Sequence, residues 1–358
     1  MGFMEEMREQ PTALSRLLDY YAGAEGRSRL QAARRLLATG PVVLLGMGPS
    51  YIAAVYAAYR LNQRGVPAVA LEASLALADH AALLKAAPTW ILLSQSGETP
   101  EVLDLAQAEG HQLLGITNDE ASSLGRSGMP LLPLKAAPEE GTSSKTYINT
   151  LAVLALLGGD PVGFLRPLPD LLQRLVDQPF DDPGPVPPEV TFVARGPSLA
   201  SALEGALLLR QAAHVTASGF SGAGFRHGAW EWARDRSLVV FLGRGVHREL
   251  QSRLAVELAA RGNRLLTIGL GEGDVALPPL PASLAPLAEI VPVQHLAVAW
   301  AAAQGREPHQ EISVSLALPP PRVADRLRLE PGDTVVVRHR RETLAAHRRL
   351  ARQPGPAG

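Results

Sequence analysis

Val43-Leu44-Leu45-Gly46-Met47-Gly48-Pro49-Ser50 and Thr191-Phe192-Val193-Ala194-Arg195-Gly196-Pro197-Ser198 are one pattern occurring twice, 148 residues apart. Each reads as a buried apolar strand running into a Gly-Pro-Ser turn, with proline where a helix starts. Around the first copy, short apolar runs at 42–45, 68–71, 90–93 and 113–116 alternate with segments of helical period, the signature of a parallel sheet wrapped by helices. Around the second, the run 238–242, a helical segment, Gly262 and the run 265–268 restate the order of 91–93, a helical segment, Gly110 and 113–116. The repetition predicts an α/β protein of two tandem doubly wound domains, each a parallel sheet flanked by helices. Between the copies, Asp181-Asp182-Pro183-Gly184-Pro185-Val186-Pro187-Pro188 can continue neither a helix nor a central strand. The expected organisation is an N-terminal helical segment 1–39, a first domain 40–178, a linker 179–189, a second domain 190–318 and a C-terminal extension 319–358. Residues 5–38 read as helix, and 329–337 as a small hairpin.

Composition narrows the function. At 358 residues, 46% hydrophobic and 19% charged, the chain is long enough for two sizeable cores. A net charge of −1 carries no footprint for nucleic acid or an anionic membrane. The one basic cluster, Arg338-His339-Arg340-Arg341 with Arg348, Arg349 and Arg352, sits in a tail ending in proline and glycine and reads as a solvated element. No cysteine is present, which excludes disulfides, thiolate metal sites and a thiol nucleophile. The acidic start Met1-Gly2-Phe3-Met4-Glu5-Glu6 is no signal peptide, and the longest apolar run, 151–157, is too short to span a bilayer, so a cytoplasmic location is expected.

The stretch richest in chemistry is Ser94-Gln95-Ser96-Gly97-Glu98-Thr99, between the apolar run Trp90-Ile91-Leu92-Leu93 and the helix start Thr99-Pro100-Glu101. Unpartnered amides at a helix N-terminus, together with Ser and Thr hydroxyls, bind phosphate without a lysine; the structural alternative is an ordinary capped turn. Gly46-x-Gly48 with Glu72 after the next strand invites a dinucleotide reading, but Tyr51 stands where a third glycine is needed for close packing. No Gly-x-x-x-x-Gly-Lys-Ser/Thr loop occurs, and His227 with Glu231 at helical spacing is too small a set for a metal. No metal and no cofactor are expected. In the second copy Gly243-Arg244-Gly245-Val246-His247 replaces the hydroxyl-rich stretch.

These residues resemble the sugar isomerase (SIS) superfamily, most of all the isomerase half of glutamine–fructose-6-phosphate aminotransferase and stand-alone phosphosugar isomerases. Met7-Arg8-Glu9-Gln10-Pro11 resembles the family's first helix, Gly48-Pro49-Ser50 its first phosphosugar turn, and residues 94–99 its most specific motif. Gly141-Thr142-Ser143-Ser144-Lys145 resembles the segment closing the sugar site, one residue short. Ala202-Leu203-Glu204-Gly205-Ala206-Leu207 through Phe225-Arg226-His227-Gly228 resembles the helix and loop of the acid/base residues, and Pro292-Val293-Gln294-His295-Leu296-Ala297 the last domain helix. The resemblance implies that Ser94, Ser96 and Thr99 bind a sugar phosphate, with Gly48, Ser50, Gln95, Ser144 and Gln211 nearby, and that His227 opens the sugar ring. It also implies a homodimer in which the glycine-rich loop 219–228 reaches a neighbour's pocket.

The chain departs from that family in three places. The glutamine-hydrolysing half is absent. Gln211 stands where the aminotransferases carry the glutamate that moves a proton between C1 and C2, and Leu208 where they carry a lysine. The imine-forming lysine should fall near Gln310-Glu311-Ile312-Ser313, yet the only lysines are Lys85, Lys135 and Lys145. The expected function is a phosphosugar-binding protein acting as isomerase or amino-sugar phosphate deaminase on a hexose or hexosamine 6-phosphate, with His227 and one of Glu231, Glu204 or Glu98 as catalytic groups. The alternative is a non-catalytic phosphosugar binder that has lost its base.

Overall fold

The computed structural model describes residues 2–178, 184–234, 236–243 and 246–308, with two short strands at 314–316 and 335–337. Two compact units result, Met1–Gln310 and Glu311–Gly358. In the first unit the chain begins with α1 (Phe3–Ala22) and α2 (Ala24–Leu36), then runs β1 (Val42–Gly46), α3 (Pro49–Gln63), β2 (Ala68–Glu72), α4 (Ala73–Asp79), α5 (Ala81–Ala86), β3 (Thr89–Leu93) and α6 (Pro100–Leu105). It continues through β4 (Gln112–Thr117), β5 (Leu131–Pro133), α7 (Lys145–Leu157), α8 (Val162–Leu165) and α9 (Leu168–Asp177). The second half follows with β6 (Glu189–Ala194), α10 (Leu199–Leu208), a π-helical turn Leu209–Ala213, β7 (Thr216–Ser221), α11 (Gly222–Arg226) and α12 (Ala229–Trp232). Then come β8 (Ser237–Phe241), α13 (Val246–Ala259), β9 (Arg264–Leu270), β10 (Val275–Leu277) and α14 (Ala285–Ala303).

Two five-stranded sheets form, ordered β2-β1-β3-β4-β5 and β7-β6-β8-β9-β10, and every pairing within them is parallel. The strand order is therefore the same in both halves. Strands β1 and β3 are buried along their whole length, which is why they read as continuous apolar runs without alternation. The sheets do not stand apart: α10 packs on α3 and on α14, and α3 packs on α7, so one continuous core holds both. Helix α14 with its preceding turn, Ala282–Ala303, is apolar and long enough to cross a membrane by length and composition, but 78% of its apolar window is buried in this core. The uninterrupted apolar run 296–303 within it is one residue longer than the run 151–157.

Two expectations change. The helix expected over 5–38 is two helices parted at Gly23, whose extended backbone (φ −74°, ψ 167°) ends α1 and starts α2, and Gly26 lets α2 turn back closely, since a Cβ there would lie 2.3 Å from the Tyr20 carbonyl oxygen. The stretch 219–228, expected as a loop, gives its first residues to β7, and a Cβ on Gly219 would lie 2.6 Å from the Ala202 carbonyl oxygen of α10. Glycine here lets helix and strand approach, instead of loosening a loop. In the unit Glu311–Gly358, β11 (Val314–Leu316) pairs antiparallel with β12 (Val335–Val337), and residues 329–334 of the expected hairpin lie outside the described residues. Residues 179–183 of the expected linker, the segment 309–313, Arg244-Gly245 and the basic cluster at 338–352 lie outside the described residues.

Candidate functional site

In the first sheet the chain leaves β1 for β2 on one side and returns to β3 on the other, so β1 and β3 flank the topological switch point. In open parallel sheets the crevice at the carboxyl ends of such strands is where ligands bind. Leu45 of β1 lies opposite Leu92 of β3, which sets Gly46-Met47-Gly48-Pro49-Ser50 beside Ser94-Gln95-Ser96-Gly97-Glu98-Thr99. Gly48 takes φ 50°, and a Cβ on Gly46 would lie 2.9 Å from the Ser50 backbone, so both glycines let α3 start directly at the strand end.

The cradle is built from the back. The Gln95 carbonyl accepts from the Asn118 N–H (3.1 Å) and the Thr117 hydroxyl (3.2 Å), and the Gly97 carbonyl from the Leu124 N–H (3.0 Å). Glu98 turns away from the crevice and accepts the Ser123 N–H at 2.7 Å. Gly97 sits at φ 69° with Ser122 behind it, and the Gly97 N–H donates to Ser94 Oγ at 3.0 Å. Ser94 Oγ and Thr99 Oγ1 are 2.8 Å apart, and although Thr99 is the N-cap of α6 its hydroxyl makes no cap bond. Among the described residues the N–H groups of Gln95, Ser96 and Thr99 have no acceptor within the protein. With α6 only six residues long, the donors on offer to an anion are these loop amides and hydroxyls and not a helix dipole.

Residues 37–158 match the SIS domain family. The matched stretch holds the whole of the first sheet. It is 30% identical over 324 residues to a glutamine–fructose-6-phosphate aminotransferase of Bacillus spizizenii, covering 82% of this chain and 54% of that protein. The chain thus spans about half the length of the curated relatives it matches. Among solved structures it resembles tagatose-6-phosphate ketose/aldose isomerase from Escherichia coli (TM-score 0.74, 20% identity, 87% of this chain and 96% of that one). The C-terminal domain of the Francisella tularensis glucosamine-fructose-6-phosphate aminotransferase superposes with TM-score 0.71 at 19% identity, covering 87% and 98%.

The segment 139–146 meets acids that the sequence did not single out, the half-buried Glu139 of its own and the buried Glu6 of α1. Glu139 lies across the start of α7 and accepts the Ser144 N–H (3.0 Å), the Ser144 hydroxyl (2.9 Å) and the Thr146 N–H (3.3 Å), besides the Thr146 hydroxyl. An acid there satisfies the helix's orphan amides, so the run Pro138-Glu139-Glu140-Gly141 before a Ser-rich helix start was the available signal. Ser144 is consequently fully buried with its amide and hydroxyl both engaged. Lys145, equally buried, pairs with Glu9 of α1. Glu6 accepts the Glu140 N–H at 2.8 Å, and burial pushes its carboxyl up to about 7.

Glu204 of α10 is 2% exposed, Oε2 has no hydrogen-bond partner, and burial followed by the nearby charge of Glu139 raises its pKa to about 8. One turn on, Leu207 faces the Gly48 turn, its Cδ2 4.0 Å from where a Gly48 Cβ would be. Positions 204, 207, 208 and 211 share one helix face. Gln211 is half-buried in the π-helical turn that follows.

The other expected catalytic residues lie elsewhere. His227 is exposed at the end of α11, and Gly228 at φ 143° breaks the chain before α12. His227 and the exposed Glu231 therefore belong to different helices, and the helical spacing expected of them is not realised. Among the described residues no cluster could hold a metal ion. At the second switch point the Gly-Pro-Ser turn is turned inward: Ser198 and Ser201 donate to Glu289 at 2.8 and 2.6 Å, and the His247 ring closes over Gly196. The repeated turn carries an accessible hydroxyl in the first copy, where Ser50 is half-buried and bonds no other side chain among the described residues.

Proposed function

We propose that the crevice between β1 and β3 binds the phosphate of a hexose or hexosamine 6-phosphate, and that the chain interconverts aldose and ketose forms of that sugar or deaminates its amino form. The observation that carries the binding half is the set of three partnerless amides, Gln95, Ser96 and Thr99, beside the Ser94 and Thr99 hydroxyls at a switch point. A phosphate dianion supplies the acceptors these donors lack. The SIS family and the likeness to an aminotransferase and a ketose/aldose isomerase support the same ligand class.

For the reaction, Glu204 is the acid/base we assign. A carboxyl with a pKa near 8 is poised to take the C2 proton of an open-chain aldose as carboxylate and return it to C1 as acid, which completes isomerisation. His227, reading as the ring opener, reaches a pocket only from a neighbouring copy, consistent with its exposure; we therefore read the second half as a second domain of the same family and the working unit as a homodimer. A second reading, a phosphosugar binder without catalysis, is favoured by Gln211 in place of a carboxylate and by the burial of Lys145 against Glu9.

Thr99→Ala is expected to weaken binding of fructose 6-phosphate or glucosamine 6-phosphate ten- to a hundred-fold, because a charge-assisted hydrogen bond contributes about 1.5–3 kcal/mol. Calorimetry against the unphosphorylated sugars decides it, since equal affinity for those would eliminate the cradle. Mixing His227→Ala chains with Thr99→Ala chains is expected to restore one intact site per heterodimer. Failure of recovery despite demonstrated chain exchange rules out the shared site.

A further inference from the structure

Asn118, at the end of β4, makes three hydrogen bonds in two directions. Its peptide N–H donates to the Gln95 carbonyl of the cradle at 3.1 Å. Its side chain holds the stretch after β5: Nδ2 donates to the Ala137 carbonyl at 2.7 Å and Oδ1 accepts the Ala136 N–H at 2.9 Å. That stretch is unusual, for Lys135 (φ 52°) and Ala137 (φ 63°) both occupy the left-handed region without being glycine. Such residues persist only where neighbours over-determine them. Besides Asn118, the neighbours include the Thr117 carbonyl accepting the Leu134 N–H at 2.9 Å, Asn149 Nδ2 donating to the Leu134 carbonyl at 2.8 Å, the Lys135 ion pair to Glu120 and the Tyr20 ring 4.5 Å from Lys135 Nζ. Two residues beyond Ala137 stands Glu139, which caps α7 and whose charge is near enough to act on Glu204.

We infer that Asn118 is a positioning residue that couples the phosphate cradle to the strained stretch 135–137, so that a phosphate seated on the Gln95 and Ser96 amides also sets the place of Glu139 beside Glu204. The inference rests on the cradle reading above and goes beyond it by assigning a route between the two ends of the site. The physical link is short. The Ser96 N–H, which has no acceptor within the protein, shares one peptide group with the Gln95 carbonyl that accepts from Asn118, so an anion on that N–H polarises the carbonyl and strengthens its bond to Asn118. Asn118 passes the constraint to Ala136 and Ala137 through a side chain that satisfies a donor and an acceptor at once, which no other residue of its length does.

The experiment is hydrogen exchange of the full chain with and without saturating fructose 6-phosphate, paired with calorimetry of the same samples, on wild type, Asn118→Ala, Asn118→Asp and Thr99→Ala. In wild type the ligand is expected to slow exchange both at 95–99 and at 135–146. Asn118→Ala is expected to bind about ten-fold more weakly and, at saturation, to protect 95–99 while leaving 135–146 as in the free protein. Asn118→Asp keeps the acceptor for the Ala136 N–H and loses the donor to Ala137, and is expected to recover part of the protection; it also serves should the alanine variant fail to fold. Protection of 135–146 in Asn118→Ala equal to wild type at saturation overturns the coupling. A wild type that binds no more tightly than Thr99→Ala instead overturns the cradle reading beneath it, so the two failures are told apart.

Discussion

Gly97→Ala is expected to reduce sugar-phosphate affinity by at least about a hundred-fold while leaving both sheets folded. Two costs combine. An L-residue at φ 69° is strained by roughly 1–2 kcal/mol. The new Cβ would also lie 1.9 Å from Ser122 Oγ and 2.9 Å from Thr117 Oγ1. Ser122 has little room to retreat, because its hydroxyl donates to the Asp119 carbonyl at 2.6 Å and accepts the Gly125 N–H at 3.1 Å. Overpacking of this kind costs about 1–3 kcal/mol, and the cheapest relief is to flatten the loop, which withdraws the Gln95 and Ser96 amides from the crevice. The sum, roughly 3 kcal/mol, corresponds to about a hundred-fold in affinity. Adding Ser122→Gly removes the collision with Ser122 but neither the 2.9 Å approach to Thr117 Oγ1 nor the backbone strain, and is expected to restore about half of the lost binding energy. Calorimetry with fructose 6-phosphate on both variants, beside thermal melts to confirm the fold, is the check; wild-type affinity in Gly97→Ala would falsify the cradle as drawn.

Glu204→Gln separates activity from stability. If Glu204 moves the C1–C2 proton, the amide variant is expected to lose 10²–10⁴-fold in exchange of that proton, the range a positioned acid/base supplies. In wild type the exchange rate is expected to climb about tenfold per pH unit up to about 8, where the carboxyl becomes ionised, and to level off above it. Stability runs the other way. The folded pKa lies above the ordinary carboxyl value of 4.5, so the folded state holds a proton that the unfolded chain has released. Its contribution is fully present below pH 4.5 and is lost as pH rises through about 8. Glu6 and Glu289, each raised to about 7 by burial, push the same way. A carboxamide at this position has no charge to bury, so the Glu204→Gln variant is expected to melt higher than wild type at pH 8.5 though it exchanges far more slowly. Proton NMR in deuterated buffer and melting curves from pH 5 to 9 measure both. Undiminished exchange in the variant would remove Glu204 from the mechanism, and absence of exchange in wild type, with its appearance in Gln211→Glu, would establish the non-catalytic reading.

Much of this was legible in the chain itself. Apolar runs of four or five residues at regular intervals, and the doubled Gly-Pro-Ser turn, dictate buried parallel strands because only strands covered on both faces dispense with polar alternation. Residues 94–99 announced a donor-rich loop through local composition alone. Short-range rules, however, do not say whether a donor is already spent. Ser144 and Ser198 looked like Ser50, yet Glu139 consumes the first and Glu289 the second, across 5 and 91 residues of sequence. Helical spacing likewise suggested that His227 and Glu231 face one way, and Gly228 at φ 143° undid it.

Sequence by itself determined the strand order's raw material, the donor-rich loop 94–99, the absence of lysine after Lys145 and the carboxamide at Gln211, since these depend on residue identity and on neighbours a few positions away. Only the tertiary structure decided which acid keeps its proton near neutrality. Glu204 acquires a pKa of about 8 because α10 carries it into the core shared by both sheets, where Oε2 finds no donor and the Glu139 charge stands nearby. Desolvation is a property of what surrounds a group, and the helix segment Ala202-Leu203-Glu204-Gly205-Ala206-Leu207 does not state which of its faces the rest of the chain will cover.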